Sequence, residues 1–440
     1  MSGTPHIRSL SMAVETSFGS VSATTGQPDA VSAALLTYVS LECERAPILV
    51  AGEAKLDPRT DARTSFYVHP PEVDTACDIN GAPIAMRTGT IQVDMVMRGN
   101  GNGTVFADYT AHPLGQMLSS VLRYTAPGAL TDTVGAGVPT TTKFPAGIPG
   151  SFADGIMICQ AQAGVGNYAF VTDAGVADVT FSPAMQNAPV VGSVMRLGST
   201  LSLATQFSEL GNSLAFRGDG DGWRWYGTGS RPESLNITTT PRLVKASWTF
   251  RLSFIFDDNL DASVTAGTNY VDPVIADGCP AHMLSAVTAV STGDVTGIAS
   301  PAEAAVTELI VDEFSASLVW TLASRGTAAN PLGIADLEVT DFVCEVDILA
   351  SVANAAMTQA SFLARERHSL IIGLGNVSEG NGLCLYLPAA SLMADPNVLD
   401  LGGDMIKQRL LFTQSGPWTG DSSGNSSSPG GKVFRIGLGN

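Results

Sequence analysis

Charge is scarce in this chain. Only 15% of its 440 residues are Asp, Glu, Lys or Arg, and Lys and Arg together number 23 against 41 acidic residues. The formal net charge of −18 excludes a tight, non-specific grip on nucleic acid, because that grip needs clustered cations to displace counterions. No apolar run reaches the roughly 18 residues of a membrane-crossing helix, and residues 1–10 lack the apolar stretch of a signal peptide. The expectation is a chain made in a reducing cytoplasm, without a membrane. The six cysteines, Cys43, Cys77, Cys159, Cys279, Cys344 and Cys384, show no C-x-x-C spacing and read as buried thiols.

Motifs that carry chemistry are missing too. The five histidines, His6, His69, His112, His282 and His368, are dispersed without metal-ligand spacing, so no metal is expected. Asp219-Gly-Asp221-Gly222 starts like a calcium loop but lacks the later ligands and the bidentate Glu, and reads as a turn. Gly99 to Gly103 is followed by no Gly-Lys-Ser/Thr and opens no helix, which makes it a hairpin turn and not a phosphate loop. No G-x-S-x-G elbow marks a nucleophile. The chain is therefore expected to be no enzyme, with no catalytic residue and no cofactor.

What is present is a turn-rich β composition, with 45% hydrophobic residues, 46 Gly and 24 Pro. The length suits two domains, expected at 1–232 and 233–440. Four segments alternate apolar and polar residues with period two. Ile91, Val93, Met95 and Met97 oppose Thr90, Gln92, Asp94 and Arg98, and Trp248, Phe250, Leu252, Phe254 and Phe256 oppose Ser247, Thr249, Arg251 and Ser253. Phe314, Leu318, Trp320 and Leu322 oppose Ser315, Ser317 and Thr321, and Phe342, Cys344, Val346 and Ile348 oppose Asp341, Glu345 and Asp347. The last two segments are expected to form a hairpin across a loop at Arg325 to Asp336.

Helical spacing follows the first and last of these segments. Leu114, Met117, Leu118, Val121 and Leu122 recur on one face, with Thr110 as expected cap and Pro113 in the first turn. A second helix is expected from Ser351 to about Glu366, presenting Val352, Ala356, Gln359 and Leu363. The pattern reads as one sheet-plus-helix unit built twice, a mainly β chain with packed helices (α+β). Residues 1–27 read as an extended arm, and Asp219 to Thr240 as a Gly/Asp/Ser/Pro boundary carrying Trp223, Trp225 and Tyr226. Those aromatics are expected as a domain-junction or subunit-contact anchor. The competing reading is a platform that stacks on sugars or bases.

A long hairpin, a helix packed on its sheet and a terminal Lys432-Val-Phe-Arg-Ile-Gly-Leu438 resemble the tail tube proteins of tailed bacteriophages. Glu15-Thr-Ser-Phe-Gly19, His368-Ser-Leu-Ile-Ile-Gly-Leu-Gly-Asn376 and Gly382-Leu-Cys-Leu-Tyr-Leu-Pro388 are similar to that family in style. The resemblance covers Phe314 to Asn440 best and the first half with longer insertions. It implies tandem tail-tube-like β-barrel or sandwich domains, each with a hairpin and a packed helix. It also implies a structural virion protein whose rings stack into the tube that delivers the genome, a trimer if the domain is duplicated and a hexamer if not. The partners implied are other copies of the chain and other tail proteins (terminator, baseplate or tip, tape measure), with viral DNA passing unbound. The location implied is the phage tail, after synthesis in the bacterial cytoplasm. Gln92, Asp94, Asp341, Glu345 and Asp347 are then expected to line the lumen as a like-charged wall. Other readings are a capsid decoration or distal tail adaptor, or a carbohydrate-binding or hydrolytic β protein using the Trp223 to Tyr226 cluster.

Overall fold

The computed structural model describes residues 9–20, 33, 36–51, 75–77, 83–85, 88–99, 109–126, 131–140, 143–145, 156–159, 168–174, 178–182, 188–204, 206–219, 224–239, 243–257, 288–291, 306–326, 334–351, 359–374, 382–400, 406–414 and 434–439. Most of them lie in antiparallel strands. The central strands are β1 (Ser9–Val14), β2 (Gly89–Val96), β3 (Val194–Ser202), β4 (Leu214–Asp219), β5 (Arg224–Thr239) and β6 (Val244–Asp257). They continue as β7 (Val311–Gly326), β8 (Ile334–Ser351), β9 (Arg367–Leu374), β10 (Leu383–Leu392), β11 (Ile406–Gln414) and β12 (Arg435–Gly439). Two short helices are α1 (Pro113–Ser119) and α2 (Gln359–Leu363).

One run of paired strands, in the order β2, β6, β5, β7, β8, β11, joins the segments that alternate in the sequence. Side chains on one of its faces meet in dry cross-strand rows. Val93, Trp248, Leu235, Leu318 and Cys344 stand directly opposite one another, and all are fully buried. The next row, Met95, Ala246, Ile237, Ala316, Val346 and Phe412, sets two alanines among larger neighbours. Against this face lie the core side chains of α1, Leu114, Met117 and Leu118, and of β9, β10 and β12, among them Ile372, Leu385 and Ile436, in one continuous cluster. Such burial of large side chains contributes roughly 1.5–3 kcal/mol apiece, which explains why period-two segments became half-buried strands.

The sheet forks within β5. β6 pairs along its whole length, whereas on the other edge Arg224 to Ser230 pair with β4 and Ser234 to Thr238 pair with β7. The change of partner falls at a register shift between Pro232 and Ser234. Proline has no N–H to give to the ladder, and a bulge adds local twist, so the strand turns where Pro232 stands. The described strands form no closed barrel within one chain.

Several expectations need correction. Asp219 to Thr240 is no linker: it holds β5, and the 232/233 boundary falls inside that strand at its bulge. The expected arm contains β1, whose Leu10, Met12 and Ala13 are buried and whose edges pair with β4 and with Val39–Leu41. Ser9-Leu10-Ser11-Met12 alternates, but the run is short and Ser11 and Ala13 are buried as well. The cap of α1 is His112, not Thr110, with Leu114 N–H donating to Nδ1 at 3.2 Å. Ser351 closes β8, and among the described residues of the expected helix only the single turn α2 at Gln359–Leu363 is helical, with Leu363 71% exposed and not packed as expected. Val352 and Ala356 lie outside the described residues. So does Trp223.

Candidate functional site

The face of the β2-to-β11 run opposite the dry rows carries the residues expected to line a channel. Residues paired in antiparallel register point to the same side of a sheet. Asp94 stands opposite Ser247, Ser247 opposite Asn236, Asn236 opposite Ser317, Ser317 opposite Glu345 and Glu345 opposite Thr413. The polar stripe of the first segment and that of the last thus belong to one cross-strand row. With strands about 4.8 Å apart, Asp94 and Glu345 lie about 19 Å from each other across the sheet. The adjoining row runs through Val96, Lys245, Thr238, Ser315, Asp347 and Leu411. Gln92 is half-buried and its Nε2 donates to Ser247 Oγ at 3.3 Å.

The charges on this face are largely compensated. Arg45 Nε donates to Asp94, Lys245 Nζ approaches Glu44 at 2.6 Å, and Lys407 Nζ approaches Asp312 at 3.3 Å. Arg409 Nε spans both carboxylate oxygens of Asp347 at 3.0 and 3.1 Å, and that hydrogen bond raises the guanidinium pKa above its ordinary value. Asp341 and Glu345 are exposed and pair with no cation among the described residues. This face is therefore hydroxyl- and amide-rich, with exposed carboxylates at Asp341 and Glu345 beside compensated ones at Asp94 and Asp347, and not the like-charged surface expected. Period-two reading fixes which side a residue faces, but not which cation a distant strand brings beside it.

Asp341 departs from the others in place. It pairs with Thr321 on the part of the hairpin beyond the fork, where β5 no longer accompanies β7. There it borders an open cleft of 330 Å³ together with Phe207, Leu210, Glu338, Phe342 and Gln414. Reading the stripes as purely polar also missed apolar residues at both ends of one row. Ile48, from the edge strand Ile48–Ala51, stands opposite Gln92 at one end of a row that finishes in the facing pair Val319 and Val343. Both valines are 42% exposed. Their positions within alternating strands were the available signal.

The other candidate residues resolve differently. Trp225 and Tyr226 are buried within the chain, 0% and 1% exposed, which removes them from a sugar platform and from a subunit surface alike. Trp225 lies so close to β4 that a Cβ on Gly218 would stand 2.1 Å from its Nε1. Burial, reinforced by the negative charge of Asp94, pushes the Cys43 thiol up to about 11, and burial also raises Cys344 and Cys384. None of these three is a thiolate at neutral pH. His112 caps α1 and buried His368 lies 3.8 Å from Glu366. Among the described residues, no group of three or more His, Cys, Asp and Glu is placed to hold a metal ion. No family model matches this chain, and no curated protein matches it.

Proposed function

We propose that this chain is a structural protein that assembles into rings stacked as a tube, in the manner of phage tail tube proteins, with the polar face of the β2-to-β11 sheet turned toward the channel. The observation that carries this reading is the single row joining Asp94 to Glu345 across β2, β6, β5, β7 and β8. One sheet, dry on one side and hydroxyl-rich on the other over its whole width, is what a channel wall backed by a core needs.

The chemistry of that face suits passage of a polyanion. Nucleic acid is held by clustered cations, and here Arg45 and Arg409 are engaged by Asp94 and Asp347. Ser247, Asn236, Ser317 and Thr413 hydrate the surface without gripping phosphate. Ring closure pairs sheet edges that would otherwise invite aggregation. Two pseudo-equivalent units in one chain would close as a trimer, and one would close as a hexamer. The proposed location is the virion tail, with other tail proteins at the ends of the tube and along its lumen.

The experiment is electron microscopy of the purified protein. Hollow rings or tubes support the reading, and a persistently monomeric protein that never assembles rejects it.

A further inference from the structure

Glu15, which follows β1, is an enclosed carboxylic acid, 1% exposed, paired with no cation among the described residues. Within its own turn Gly19 N–H donates to it at 3.2 Å and the Ser20 hydroxyl at 2.8 Å. The Ser213 hydroxyl reaches it from the start of β4, and Gly229 N–H from β5 at 3.0 Å. Gly19 and Gly229 have φ of 73° and 61°, the left-handed region that glycine favours, and this aims their amides inward. The backbone is fastened as well: Glu15 N–H donates to Ser213 O at 3.0 Å, and Asn212 Nδ2 donates to Glu15 O at 2.9 Å.

The charged and titratable neighbours are otherwise engaged. Arg231 of β5 shares a 140 Å³ cavity with Glu15 but is bound to Asp336 through Nε and Nη2, both at 3.0 Å. Arg217 and Asp219 of β4 pair at 3.2 Å. Tyr38 stays neutral at ordinary pH, since burial raises its phenol and neighbouring Tyr226 raises it further. From β6 the approach is apolar, through Phe254 against Phe18 at 6.1 Å between ring centroids.

Two of the four partners are hydroxyls, which donate or accept as required. As a carboxylate, Glu15 accepts from all four groups. As an acid it donates its O–H to Ser213 or Ser20 and still accepts from the two amides. An arginine would have fixed the ionised form; this site accommodates both forms.

We propose that Glu15 is a proton-operated latch: protonated, it holds the Ser9–Ser20 segment against β4 and β5, and ionisation weakens that docking. Burial, opposed by the hydroxyl and amide donors, pushes the docked carboxyl up to about 7 from its ordinary 4.5. The docked state therefore binds the proton more tightly than the released one. Its contribution is complete below pH 4.5, falls as pH rises toward 7, and changes no further above that.

Hydrogen exchange of the full chain between about pH 5 and pH 9, corrected for the intrinsic exchange rate, tests this. The expected result is local opening of the Leu10 to Val14 amides that grows by up to about tenfold per pH unit within the window, then levels off. Glu15→Gln should abolish the slope. A flat wild-type profile, or an unchanged slope in Glu15→Gln, overturns the proposal. Should the variant fail to fold, infrared spectroscopy of wild-type protein with labelled glutamate decides: a buried carboxylic C=O band must vanish near neutral pH, and its absence also overturns the latch.

Discussion

At the residue scale the most committed side chain is Arg231. It is 1% exposed, bidentate to Asp336, and donates through Nη1 to the carbonyls of Ser120 and of Gly211, the latter at 3.0 Å. One guanidinium thus ties the end of α1, the segment before β4, β5 and the start of β8. Breaking a buried pair from one side strands the other charge, which costs about 3–5 kcal/mol. Asp336→Asn should accordingly lower the unfolding free energy by about 3 kcal/mol in urea titration. Joint replacement of Arg231 and Asp336 by Met and Leu should recover part of that loss. A single Asp336→Asn change that leaves the midpoint unmoved would show the pair to be dispensable.

At the scale of elements, β8 is interior to the sheet, with Val346 opposite Ala316 of β7 on one side and Phe412 of β11 on the other. Val346→Pro removes a ladder hydrogen bond inside the fold, so it should destabilise the monomer by about 3 kcal/mol or more, read as loss of cooperative unfolding. Val343→Thr, on the half-exposed face of the same strand, should change stability by no more than about 0.5 kcal/mol.

These elements also show what the sequence revealed. The hairpin and the alternating segments were legible because burial on one face writes itself as period two. β5 was not, since its composition is that of a loop. Its glycines serve close packing, as at Gly227, where a Cβ would meet Leu252 at 2.9 Å, and its proline serves the fork. The cations of the candidate wall were equally hidden: Arg45 and Arg409 stand 49 and 62 residues from the carboxylates they pair with, and only strand pairing brings them together. The side of the sheet on which Gln92, Asp94, Glu345 and Asp347 lie followed from period two; their compensation did not.

At the scale of the whole molecule, the proposed tube would present the same polar face to DNA in every ring. Asp341→Lys together with Glu345→Lys turns two exposed carboxylates into cations while leaving the Arg409–Asp347 pair intact. Exposed charges cost little in folding, about 0–1 kcal/mol, so assembly should persist. Purified tubes of this variant should bind double-stranded DNA in a salt-dependent manner, whereas wild-type tubes should not. Equal DNA retention by both would place these residues away from the channel.

The most direct measurement is a cryo-electron microscopy reconstruction of the assembled wild-type protein. A hollow tube with Asp94, Asn236, Ser317 and Glu345 on its inner wall, and the Val93 to Cys344 row inside the protein shell, is the predicted result. Tubes with that polar row on the outer surface, or a protein that forms no ring at any concentration, would contradict the account.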